Sequence, residues 1–345
     1  MRILVAANLT PFLQGGAQEH IRGLTQAFRE AGHTVECLQL PFAFNPAREV
    51  ESAMHWAESL NMAAPSGQSI DRLIGLQFPA YGVQHPNAVA WVMHQHRAVY
   101  ELYDPGQASA ELKNLREQVH GFDTRCLAPL AKAGRLFANS ARVAERLQAF
   151  NSLQAKPLYH PPPWAHRFYT QPAQPYVFFP SRFESLKRQG LAIEAMAHVK
   201  TPVYLVLAGE GGQLEAAKAL VAQHQLQDRV RFLGRISQAE KLAWMANATA
   251  VVYPPFDEDY GYVTLEAMLA QKPVLTCSDS GGPLEFVIHN ETGLVVPPEP
   301  KALGQAIDEL FLAPEKALAM GQAGSSRYQA LGIGWSNVVD RLLAA

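Results

Sequence analysis

The sequence predicts an α/β protein built from two doubly wound parallel sheets. Three observations carry this. The chain has 345 residues, beyond the size at which one hydrophobic core keeps growing, so two domains of about 150 residues each are expected. Short runs rich in Val, Ile and Leu alternate with helical patterns along the whole chain, the signature of βαβ units around a buried parallel sheet. The alternation stops once, at "PPPWAHRFYTQPAQP" from Pro161 to Pro175, where prolines remove backbone donors and forbid regular structure.

The first series opens with "RILVAAN", a helix from about Ala17 to Glu30 and "HTVECLQL". It continues through "DRLIGLQ", "NAVAWVM", "GRLFANS", a helix from Ala141 and "KPLYH". The second runs "YVFFPS", a helix from about Arg188, "VYLVLAG", a helix after Gln213, "RVRFLG", a helix after Ser237 and "TAVVYP". A helix after Gly261, "PVLTCS", a helix near Pro283 and "GLVVP" complete it. The expected domains are 1–165 and 166–325. In the tail, Trp335, Val338, Val339 and Leu342 share one face of a last helix, so 326–345 is expected to pack back on the first domain.

Composition excludes several classes. With 29 basic and 31 acidic side chains there is no field to attract nucleic acid, and no Lys/Arg cluster interleaves with aromatics. No apolar run approaches the roughly 18 residues of a spanning helix. Cys37, Cys126 and Cys277 are odd in number and far apart, and "MRILVAANL" lacks a cleavage site. A cytoplasmic protein is expected, with peripheral contact at the inner face of the membrane left open.

In such folds ligands bind beyond the carboxyl ends of strands, so candidates are sought there. After the first strand, "TPFLQGGAQEH" sets Gly15 and Gly16 before a helix, where backbone amides can approach an anion; a plain tight turn is the alternative. His94, His96 and Arg97 follow "AVAWVM". His94 reads as a cleft donor or acceptor and His96 stays open between that and a structural role; no third ligand points to metal. After "YVFFPS", Arg182 and Lys187 supply a guanidinium fork and an ammonium suited to a diphosphate, whereas Arg188 reads as solvated surface. Gly209 to Gly212 read as structural. Ser280, Gly281 and Gly282 lead into a helix opened by Pro283, either a second anion or sugar cradle or a plain helix start. Glu258 falls in the loop after "AVVYPPF", and Glu266 lies more than a turn inside the next helix. Two carboxylates about a helix end can hold a ligand bearing several hydroxyls.

Taken together, "SRFESLKRQG" and "EDYGYVTLEAM", whose Glu258 and Glu266 are separated by seven residues, resemble the retaining glycosyltransferases of family 4. The resemblance implies the GT-B fold, two Rossmann-like domains facing across a cleft, and a nucleotide-diphosphate sugar as donor. By that likeness Glu266 binds the ribose hydroxyls, Glu258 the transferred sugar, and Arg182 and Lys187 the diphosphate. Gly15 and Gly16 approach the phosphate, and His94 faces the reacting sugar or the acceptor. Arg235 and Ile236 in "FLGRIS" hold the base through backbone groups, and Tyr260, Gly261, Tyr262 and Val263 lie against the donor. Where many members place glycine after the first glutamate, this chain has Asp259.

The expectation is therefore a metal-independent hexosyltransferase without a cofactor. It would act on a glycan, lipid-linked or small-molecule acceptor, in surface polysaccharide assembly. An epimerase on the same fold would not account for the spaced glutamates, and an NAD-dependent oxidoreductase needs a dinucleotide fingerprint that "LQGGAQEH" is not.

Overall fold

A computed structural model of the protein describes residues 1–12 and 15–345. Leu13 and Gln14, in the first glycine-bearing loop, lie outside the described residues. The chain divides into two compact units, Met1–Pro161 with Ile333–Ala345, and Pro162–Gly332.

The first unit is a six-stranded sheet of β1 (Arg2–Leu9), β2 (Thr34–Pro41), β3 (Arg72–Gly75), β4 (Ala88–Val92), β5 (Leu136–Ala138) and β6 (Lys156–Pro157). The order is β2-β1-β3-β4-β5-β6, and every neighbouring pair is parallel. Ile3 to Asn8 of β1 are all buried, as a central strand covered by helices on both faces must be. Helix Gly16–Glu30 packs Ile21, Leu24, Ala27 and Phe28 onto one face. The chain winds outward to β2 and returns to β3, so the order reverses between β1 and β3.

The second unit holds β7 (Tyr176–Pro180), β8 (Tyr204–Ala208), β9 (Val230–Phe232), β10 (Ala250–Val252), β11 (Val274–Cys277) and β12 (Gly293–Val296). These pair in parallel in the order β12-β11-β10-β7-β8-β9. Here the reversal falls between β7 and β10. The expectation of two doubly wound α/β sheets is met.

Residues 326–332 remain with the second unit, and helix Trp335–Ala344 completes the first. Val338, Val339 and Leu342 enter the core beneath helix Gly16–Glu30, each burial contributing about 1.5–3 kcal/mol. Trp335 lies flat where a side chain at position 23 would be: a Cβ on Gly23 would stand 2.2 Å from its ring. Arg72 on β3 donates to the carbonyl oxygens of Leu343 (3.1 Å) and Ala345 (2.5 Å), satisfying acceptors at the helix end that have no partner within the helix. No helix among the described residues is long and apolar enough to cross a membrane.

Candidate functional site

Because all strands of a sheet run in parallel, the loops after them gather at one edge. In the second unit, β7 and β10 flank the reversal, the position at which ligands of such sheets bind. Lys187 follows β7 and Glu258 follows β10. The fold brings them together although 71 residues separate them: the Lys187 ammonium donates to Glu258 Oε2. Both side chains are largely buried, at 18% and 16% exposure. The hydroxyl of Tyr253, itself buried, lies 3.4 Å from Lys187 Nζ. Burial works against the charged form of Lys187, but Glu258 and Tyr253 outweigh it, and the ammonium titrates above its ordinary range. Burial and then the Glu258 carboxylate push the Tyr253 phenol up. At neutral pH Lys187 is therefore an ammonium and Tyr253 a neutral phenol.

The Glu258 loop is seated on the loop after β11. Glu258 N–H donates to Ser280 O (3.0 Å), and Gly282 N–H donates back to Glu258 O (2.8 Å). Gly281 sits at φ +70°, and a Cβ there would lie 2.7 Å from Glu258 O. Only glycine permits both that conformation and that approach. The helix opened by Pro283 is a single turn, Pro283–Phe286. Of the two readings left open for Ser280 to Gly282, this geometry supports a third: a seat for the Glu258 loop. Ser280 is fully buried, its Oγ accepting from Cys277 N–H at 3.1 Å.

Glu266 occupies the fifth position of helix Tyr262–Leu269, which is buried all round from Val263 to Met268. It is 1% exposed. One carboxylate oxygen is held by the Lys241 ammonium from helix Gln238–Asn247, and the other, Oε2, has no partner. A buried acceptor without a donor is costly, of order 1–3 kcal/mol, and a ligand hydroxyl would satisfy it. Gly261 at φ +83° precedes this helix, and Tyr253 and Pro283 close around it. Tyr260 is buried edge-on against Tyr262 and Phe286, while Val263 joins the core.

Other candidates are placed differently. Arg182 is half exposed and pairs with Glu184 at 3.0 Å, outside the Lys187–Glu258 pair. Arg235 is exposed after β9, and Ile236 is partly buried against the core. Gly209 and Gly211 are structural as expected: a Cβ on either would strike the carbonyl of Ser181 or Phe183. Reading Arg188 as solvated surface is corrected. Its guanidinium donates to Pro254 O (2.7 Å), Pro255 O (2.8 Å) and both oxygens of Asp279 (2.7 and 2.9 Å).

In the first unit, Gly15 is extended at φ −177° and Gly16 begins the helix. The strand before His94 ends at Val92. His94 is partly exposed, with Nδ1 3.0 Å from Gln95 O. His96 resolves as structural: it is buried beside Phe42, Phe44 and Phe78, and burial, then the neighbouring His94, lower its pKa to about 4. The loop bearing both is anchored by Asp123, which accepts from Tyr81 OH (2.6 Å), Tyr100 OH (2.7 Å) and Gln95 Nε2 (3.1 Å).

Sequence reasoning missed Tyr253, Lys241, Arg188 and Asp279. Arg188 reads as surface until its partners are known, and no spacing links Tyr253, Lys241 or Asp279 to the residues they contact.

Two parallel six-stranded sheets, each reversing its strand order once, with charged side chains gathered at the reversal of the second, set the class of fold. Over 99% of this chain and 96% of theirs, the fold superposes on sucrose-phosphate synthase (tll1590) from Thermosynechococcus elongatus with a TM-score of 0.75 at 21% identity. It also matches Anabaena Alr3699/HepE, solved in complex with UDP and glucose, over 100% and 98% of the two chains, with a TM-score of 0.68 at 17% identity. The fold is thus GT-B. Residues 166–327, almost the whole second unit, match the family of glycosyl transferases group 1. Among curated relatives, human alpha-1,3/1,6-mannosyltransferase ALG2 is 32% identical over 163 residues, 43% of this chain and 39% of the relative. D-rhamnosyltransferase WbpZ of Pseudomonas aeruginosa is 33% identical over 145 residues, 41% and 37% of the two chains. The matched stretches span about two-fifths of these relatives' length.

Proposed function

We propose that this chain is a retaining hexosyltransferase of glycosyltransferase family 4, taking a nucleotide-diphosphate sugar as donor and a glycan, lipid-linked or small-molecule hydroxyl as acceptor. The observation that carries it is Glu266, a buried carboxylate with one oxygen neutralised by Lys241 and the other unpartnered, in the unit that matches the family. That oxygen suits the hydroxyls of a ribose. Lys187, with Arg182 nearby in the same unit, would meet the diphosphate. Glu258 would accept from the transferred sugar. In the reaction the bond from the anomeric carbon to the diphosphate oxygen breaks with its electron pair, and the acceptor oxygen bonds on the same face. The acceptor's proton leaves with the diphosphate. The protein's part is to position both reactants and stabilise the leaving charge.

An epimerase is disfavoured by the same relatives, which are transferases. We further propose action without a divalent metal, since lysine and arginine supply the cations the diphosphate requires, and a role in surface polysaccharide assembly from the cytoplasmic side. Thermal-shift titration with UDP, GDP, ADP and their sugars tests the donor class. One diphosphate and its sugar should stabilise the protein with or without chelator. No stabilisation by any of them, or stabilisation that chelation abolishes, would contradict the reading.

A further inference from the structure

Arg188 stands at the junction of three loops. It directly follows Lys187 and adopts φ +57°, ψ +42°, a left-handed conformation that glycine takes freely and side chains disfavour. Its fork joins two consecutive proline carbonyls of the β10 loop and, in bidentate fashion, Asp279 of the β11 loop, 91 residues away. The same three loops are laced by backbone: Phe256 N–H to Leu186 O (2.7 Å) and Asp257 N–H to Asp279 O (2.9 Å). The Arg188 side chain is only 19% exposed. A planar fork with fixed donors suits such a junction, and a lysine could not reproduce it. A strained backbone that persists is held by its surroundings, and here the surroundings are the loops carrying Lys187 and Glu258.

We infer that Arg188, braced by Asp279, is a positioning residue that holds Lys187 and Glu258 in register. The geometry stands by itself; its consequence for catalysis rests on the transfer reading above. Arg188→Gly is the informative variant, because glycine relaxes the turn while removing the fork. Two readouts separate the claims. Without any ligand, acetylation of Lys187 by acetic anhydride, followed by peptide mass spectrometry, should be faster in Arg188→Gly than in the parent, since the ammonium loses its fixed partner. With the donor identified by the nucleotide panel, kcat should fall, by roughly 100-fold if the reacting groups are displaced by about 1 Å, while affinity for the nucleoside monophosphate is kept. Unchanged Lys187 labelling in Arg188→Gly would overturn the inference, and so would full kcat in Arg188→Lys, which would show that charge suffices without the fork. Should Arg188→Gly fail to fold, Asp279→Asn carries the same comparison. A parent protein that turns over no donor would count against the transfer reading, whereas the labelling result would still decide the brace.

Discussion

At the scale of single residues, charge and burial decide what each side chain can do. Lys187 and Glu258 neutralise each other in a largely enclosed setting, so neither pays the cost of an unpaired buried charge. His20 presents the opposite case. It is 1% exposed, neither ring nitrogen has a partner, and it stacks on His160 at 4.0 Å and meets Trp91 edge-on at 4.2 Å. Burial lowers its pKa to about 3, and burial, then the His20 charge, takes His160 well below its ordinary value. The sign follows by linkage: below about pH 6.5 the unfolded chain binds protons that the native imidazoles refuse, so stability falls as the pH falls. Asp123 opposes this. Burial raises its pKa to about 6, so the native state favours its proton and that term weakens stability as the pH rises from about 4 to 6. His20→Leu should therefore lose less Tm than the parent between pH 7 and pH 5. Parallel Tm profiles for the two proteins would contradict it.

At the scale of elements, strands and helices were legible because period and composition follow from burial on both sheet faces. "RILVAAN", "YVFFPS" and "VYLVLAG" became β1, β7 and β8 because β-branched and apolar residues suit a doubly covered strand. The loops were less legible. Lys187, Glu258 and Glu266 could be singled out as charges after strands or within the next helix, but Arg188, after β7, finds Asp279, after β11, only through the sheet order β11-β10-β7. Lys241 likewise meets Glu266 only through helix packing. His96 stayed open because its aromatic surroundings come from loops after β2 and β3 that periodicity cannot place. The last helix shows how fully one glycine can set a docking surface. Gly23→Val would force the Trp335 ring aside, and overpacking typically costs about 1–3 kcal/mol. Chemical denaturation should show that loss, and it should largely vanish in Gly23→Val/Trp335→Ala. An equal loss in both backgrounds would mean that Trp335 is not what position 23 meets.

At the scale of the whole molecule, the fold places the candidate donor groups of the second unit around the reversal between β7 and β10, with Glu266 on the helix that follows. Two carboxylates eight positions apart thereby acquire different surroundings: Glu258 in a loop beside Lys187, Glu266 within a helix beside Lys241. On the proposed reading, Glu266 meets the nucleotide and Glu258 the sugar being transferred. Calorimetric titration of Glu266→Ala and Glu258→Ala with the nucleoside diphosphate, alongside transfer kinetics with the intact donor, tests that division. Glu266→Ala should weaken diphosphate binding by about 1–3 kcal/mol through unpaired hydroxyls, while Glu258→Ala should keep most of that affinity and lose kcat, as when a contact serves the reacting group. Equal losses of diphosphate affinity in both variants, or full turnover in either, would contradict the account.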